Sequence, residues 1–162
     1  QRNTKRRLEH GVWAPLWLMY PAAEVPVVEI SLPSQLPPAR LYALGQTLGE
    51  LAACQILFLG SGGIVHNLTR VDFADRHRAP DPWAAEFDQW VWQRMQARDD
   101  QQIIAYAAEA PHASLAVPPG RVEHFAPLWV VLGAASLRRD VQSIYDGFDF
   151  ANLSMRCFAC LV

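Results

Sequence analysis

The feature that most constrains this chain is a four-residue apolar run, Ile56-Leu57-Phe58-Leu59, followed at once by Gly60-Ser61-Gly62-Gly63-Ile64-Val65-His66-Asn67. A short run that is apolar at every position, bounded by glycine, reads as a strand covered on both faces. The glycines let the backbone turn sharply and leave room for a ligand, and an imidazole follows on the loop. In an open α/β sheet this carboxyl edge is where ligands bind. Glycine turns after strands are common, so a lone histidine there is structural about as often as functional. Two further histidine contexts add weight, Glu9-His10-Gly11 and Glu123-His124-Phe125-Ala126-Pro127-Leu128.

The rest of the chain alternates helix and strand. Residues 11–20 predict a short helix ending before Pro21, and Val25 to Ser31 a β-branched strand. Pro37-Pro38 opens a helix through about residue 53, with Leu41, Leu44, Leu48 and Leu51 on one face. The strand Gln55 to Leu59 and the glycine loop come next, then a charged, irregular stretch from Thr69 to Pro82. Asp81-Pro82-Trp83 predicts a helix to about Ala97, with Asp81 as its cap. A short helix follows over 100–108, a proline-rich loop over 111–120, a helix from Pro127 to about Ala135, and strands at 142–150 and 153–161. This is an α/β pattern in one domain over residues 1–162, a mixed central sheet flanked by helices. With 51% hydrophobic and 19% charged residues, the 162-residue chain can bury one core and is not of disordered composition.

A net charge of −2 gives no general drive toward nucleic acid or an anionic membrane, and the basic cluster Arg2, Lys5, Arg6, Arg7 reads as a solvated end. That cluster and the apolar residues 12–20 superficially resemble a secretory signal, but Glu9, His10 and Pro15 interrupt the segment. No apolar run approaches the roughly 20 residues needed to span a bilayer. A soluble, cytoplasmic protein is expected. The cysteines, Cys54, Cys157 and Cys160, are odd in number and fit a reducing compartment. Cys157-Phe158-Ala159-Cys160 has the spacing of a redox or metal pair, yet its apolar neighbours place it on a strand, where residues three apart face opposite ways.

His10, His66 and His124 each sit at an element boundary, where loops can converge on one edge of a sheet. Imidazole is the commonest transition-metal ligand and the side chain best able to move a proton near neutral pH. The bland alternatives are that His66 caps a helix starting near Asn67, that His124 caps the helix opened by Pro127 with Glu123 as the ligand instead, and that His10 is an ordinary loop residue. His77 and His112 read as solvated.

Glu9-His10-Gly11-Val12-Trp13, Met19-Tyr20-Pro21, Val25-Pro26-Val27-Val28, the 61–68 loop, Pro82-Trp83, the 123–128 segment and Leu153-Ser154-Met155 occur in this order. Together they resemble the class III extradiol ring-cleavage dioxygenases, in the DOPA 4,5-dioxygenase-like branch. The resemblance implies a non-haem Fe(II) enzyme, sometimes purified with Zn(II), that opens a catechol with O2. It implies that His66 is a metal ligand or an acid/base facing the metal, that His124 is a metal ligand, and that His10 is an acid/base or supporting residue. Glu9 stands where the family has Asp. The family also carries two metal-binding histidines in an N-terminal portion with its first strands, and nothing before His10 matches them. The chain therefore resembles the C-terminal part of such an enzyme, and the rest is outside this chain, is supplied by a partner chain, or was lost together with the metal.

Catechol must lose protons to chelate iron, which calls for an imidazole base, and iron must keep positions open for substrate and oxygen. Trp13, Trp83 and Phe125 are candidates for an aromatic pocket wall, or for core. Two rival readings remain: a metal-free relative retained for binding or assembly, and a zinc hydrolase. The latter lacks a His-Glu-x-x-His helix or nucleophile elbow.

Overall fold

A computed structural model describes residues 7–33, 35–137 and 140–161. Of the basic N-terminal cluster only Arg7 falls within them, and it is exposed; Arg2, Lys5 and Arg6 lie outside the described residues. Residues 1–33 and 34–162 form two compact units. None of the described helices is long and apolar enough to cross a membrane.

In the first unit, α1 spans His10–Met19 and tolerates Pro15 within it. It is apolar around its whole circumference, and no residue described in this unit is buried. A groove of about 300 Å³ runs between α1 and the following chain, lined by Trp13, Trp17, Tyr20, Pro21, Val25 and Val27. The strand expected at 25–31 is not formed: these residues belong to no ladder among the described residues. β-branched composition favours extended backbone, but a strand exists only through a neighbour, which local sequence does not specify.

The second unit holds the core. Helix α2 spans Pro38–Gly49, opened by proline in its first turn, and runs on into a 3-10 turn over Glu50–Cys54. Helix α3 spans Pro82–Ala97, α4 Asp100–Ile104, α5 Tyr106–Glu109, α6 Ala113–Ala116 and α7 Ala126–Ala134. The expected helix over 100–108 is thus broken at Ala105, and the proline-rich loop contains α6, whose N-cap His112 is left-handed at φ 55°. Helices α2 and α7 cross at backbone contact: a Cβ on Gly45 would overlap the carbonyl of Val130, and one on Gly133 the carbonyl of Tyr42. This close approach explains why Leu41 and Gly45 are the buried positions of α2, while Leu51, expected on the same face, is exposed.

Against α7 packs an aromatic cluster of Phe87, Tyr106, Phe125 and Trp129, with Phe125 5.0 Å from both Tyr106 and Trp129. Trp129 Nε1 donates to the carbonyl of Ile103 at 3.2 Å, so burial leaves no polar atom of the indole unpaired. Phe125 is therefore core and not pocket wall.

The α/β class is observed, with its described strands in two antiparallel pairs. Strand β1 (Asp140–Tyr145) pairs with β4 (Cys157–Leu161), and the short β2 (Phe148–Asp149) with β3 (Leu153–Ser154). Cys157 and Cys160 lie on β4, opposite Tyr145 and Val141 of β1. The other expected strand, Gln55 to Leu59, has no ladder partner among the described residues.

Candidate functional site

The loop that carries His66 is fastened from the side of its downstream residues. Gly63 N donates to the carbonyl of His124 at 2.8 Å, and His66 N to that of Ala116 at 3.3 Å. Ser154 N donates to the carbonyl of Val65 at 3.1 Å, and His66 forms an antiparallel bridge with Leu153. The buried Asn67 side chain donates to the carbonyl of Leu115 at 2.8 Å, and its Oδ1 accepts from Thr69 N at 3.1 Å and Thr69 Oγ1 at 2.6 Å. Asn67, not His66, thus caps the 3-10 turn Leu68–Arg70. Gly62 is needed for a steric reason: a Cβ there would overlap the carbonyl oxygen of His124.

That close approach brings His66 and His124 together. Their ring centroids lie 3.7 Å apart with an interplanar angle of 22°, a stacked pair. His124 reaches this position from the turn just before α7, whose start is set by Pro127 in its first turn. Burial pushes His66 below its ordinary pKa of 6.5, and the neighbouring His124 adds to the effect, since two imidazolium rings in contact would repel. Its own backbone and Glu123 pull more weakly the other way.

His10, the third sequence candidate, belongs to the first unit, where it is the exposed first residue of α1. The N–H of the adjacent Glu9 donates to Glu29 at 3.2 Å. His77 and His112 are both exposed, as expected, and His112 Nε2 lies 2.8 Å from Glu86. Asp81 occupies the N-cap position of α3 without capping it, because its carboxylate is held by Arg78 at 3.0 Å.

Sequence reasoning missed the group that fixes β3 behind His66. Asp88, on α3, accepts from Ser154 Oγ at 2.6 Å and from Arg156 Nε and Nη2 at 2.9 and 2.6 Å. The two charged side chains are only 3% and 7% exposed, and the guanidinium lies over Trp92 at 4.9 Å. A signal for it existed: Asp88 falls on the buried stripe Ala84, Phe87, Val91, Met95 of α3, where a carboxylate needs a partner.

The His66–His124 pair fits a metal ion in part. A His66 kept neutral has a ring-nitrogen lone pair to give. No group of three or more His, Cys, Asp or Glu residues able to hold an ion occurs among the described residues.

Residues 1–154 match the family described as the catalytic LigB subunit of aromatic ring-opening dioxygenase, and the chain belongs to that family. Its place is in the class III extradiol, DOPA-like branch: it is 37% identical over 147 residues to a 4,5-DOPA dioxygenase extradiol of Beta vulgaris, covering 91% of this chain and 53% of the relative. A protein of the same name from Escherichia coli K12 is 32% identical over 149 residues, covering 91% of this chain and 54% of the relative. The chain thus spans about half the length of these curated relatives. The crystal structure of an uncharacterized protein from Escherichia coli K12 superposes with a TM-score of 0.84 at 29% identity, over 97% of this chain and 64% of that one.

Proposed function

We propose that this chain carries part of the catalytic centre of an extradiol dioxygenase that opens a catechol-type ring with O2. The observation that carries the proposal is the stacked His66–His124 pair in a member of this family. In this reading His124 and His66 hold a non-haem metal, Fe(II) in the working enzyme, with Zn(II) able to take the same nitrogen donors. Bound there, the ion supplies open positions at which a deprotonated catechol and dioxygen meet.

The protein's own part is preorganisation and proton handling. His66 reaches the site already neutral, so metal binding there need not displace a proton at neutral pH. The Asn67, Gly63 and Val65 hydrogen bonds hold its backbone before any ligand arrives, which lowers the ordering cost of binding. Where His66 faces the metal instead of ligating it, the same neutral ring accepts the proton of a substrate hydroxyl and returns it on ring opening. For His10 the acid/base role rests on its Glu-His-Gly context alone. The complete enzyme's substrate is proposed to be a DOPA-like catechol, and its location the cytoplasm.

The test is anaerobic loading with Fe(II), followed by oxygen uptake and product absorbance with DOPA as first substrate. His66→Ala is expected to abolish cleavage with an unchanged circular dichroism spectrum, and His124→Ala to lower iron content. Unchanged turnover in the first variant would remove His66 from the mechanism, and full occupancy in the second would return His124 to a structural role. A wild-type chain that retains neither iron nor zinc would favour the metal-free binding or assembly reading.

A further inference from the structure

Asn152 takes no part in the proposed chemistry, yet its side-chain amide is fully buried, where an apolar side chain of the same shape would avoid desolvating polar atoms. Its Nδ2 donates to the carbonyl of Arg70 at 2.8 Å and faces Asp81 Oδ2 at 3.5 Å, two acceptors that fix which end of the amide is nitrogen. Its Oδ1 is buried with no hydrogen-bond partner among the described residues, a further cost left standing at this position. Asn152 ends the connection Phe150-Ala151-Asn152 between β2 and β3, in which Phe150 and Ala151 are both left-handed, at φ 51° and 64°. Such backbone is disfavoured away from glycine and persists only where its surroundings hold it. Here Phe150 N donates to the carbonyl of Arg76 and Asp81 N to that of Ala151, each at 2.8 Å.

What the amide joins explains its place. Arg70 ends the 3-10 turn that Asn67 caps, just downstream of His66, and Asn152 immediately precedes Leu153, the bridge partner of His66. The bond from Asn152 to Arg70 therefore ties the chain that leaves His66 to the strand on which His66 rests. Strand β3 is two residues long, too short for its ladder alone to specify register. A slip of one residue moves a strand by about 3.3 Å. That is nearly the whole 3.7 Å between the ring centroids of His66 and His124. We propose that Asn152 is a positioning residue: its amide pins the register of the His66 segment against β3 and so holds the His66 ring on that of His124. Asp88 supports the same strand through Ser154 from the side of α3, whereas Asn152 reaches the His66 segment itself. The proposal deepens the reading of the two rings as a metal-binding pair; its metal readout rests on that reading, and its ring-contact readout does not.

The experiment follows nuclear Overhauser contacts between the ring protons of His66 and His124 in the metal-free chain at about pH 8, where imidazoles are neutral, and then Zn(II) affinity by calorimetry. Two variants remove the donor: Asn152→Ala, and Asn152→Leu, which keeps the branched shape and fills the site. Both are expected to lose the ring contacts and to bind Zn(II) about tenfold more weakly, as when groups that orient ligands are removed. Arg76→Ala deletes an exposed ion pair between the same two segments, Arg76 to Asp149 at 2.7 Å, and Met95→Ala opens the core elsewhere; both should keep the contacts. Contacts of wild-type strength in either folded Asn152 variant overturn the proposal, as does their absence from the wild type. Their loss in Arg76→Ala or Met95→Ala overturns it too, because the stack would then report docking or stability in general. Failure of both Asn152 variants to fold beside a folded Met95→Ala would make the amide a requirement of the whole fold and likewise overturn the proposal. A wild type that shows the contacts and binds no Zn(II) counts against the metal reading alone, and the ring contacts then decide the role of Asn152.

Discussion

Residues 55–60 and 63–69 follow one another in the chain, yet the first stretch makes no ladder among the described residues while the second is tied by backbone and side-chain hydrogen bonds to α6, β3 and the turn before α7. Both begin as unremarkable local sequence, one apolar and one glycine-rich. The difference is where their partners lie. Among the described residues, the hydrogen bonds that tie the His66 loop to other elements run to residues C-terminal to it, and the imidazole pair lies within the second unit. The apolar segment belongs to no ladder among the described residues, and Ile56, Leu57 and Leu59 remain exposed, although Gly60 at its end lies against Val131 and Pro127 of α7. The lesson is that site geometry and sheet completion are separable here.

The strongest way to break that contrast is to remove the anchor of the fastened side. Asp88→Ala strands the buried Arg156 guanidinium and frees Ser154, whose backbone N–H holds Val65. Loss of one member of a buried ion pair should cost about 3–5 kcal/mol in urea unfolding. A loss below about 1 kcal/mol, the range of exposed pairs, would show the network to be dispensable.

A sharper cut is Gly62→Ala, which forces the loop off the His124 carbonyl. It should separate the two rings and weaken Zn(II) binding by about 10–100-fold, the usual effect of disturbing residues that orient ligands. Isothermal titration calorimetry reads this directly, and wild-type affinity would mean that the stack is not the metal-binding arrangement.

The smallest expected effect is electrostatic. His66 titrates below 6.5 in the folded chain because burial and His124 disfavour its charged form. The unfolded state therefore binds the extra proton, and metal-free wild type should lose stability relative to His66→Gln as pH falls from about 7 toward 5, with no difference above that range. Unfolding curves across this range test the sign; a gain on acidification would contradict it.

Much of the helical scaffold was legible in the sequence. Pro82 in the first turn and the apolar spacing after it define α3 to the residue, and Pro127 marks the start of α7 within one position. Of the three histidines expected from their boundary positions to share a site, His66 and His124 are brought together, while His10 belongs to the first unit. Nonlocal pairing was not legible. The strands at 25–31 and 55–59 looked like strands because of composition, yet the ladder that would make them so depends on residues elsewhere. The C-terminal strands expected at 142–150 and 153–161 are each divided, β1 from β2 at Asp146-Gly147 and β3 from β4 at Met155-Arg156. Asp88 was overlooked because its partners lie 66 and 68 residues away.

The central claim is that His66 and His124 act as one ligand pair. The most direct measurement is a Zn(II) titration of the metal-free chain followed by imidazole nitrogen NMR. The account predicts that the His66 and His124 resonances shift together at the same metal concentration while His77 and His112 stay unmoved. Independent responses at different concentrations, or a shift of His112 with the pair silent, would contradict it.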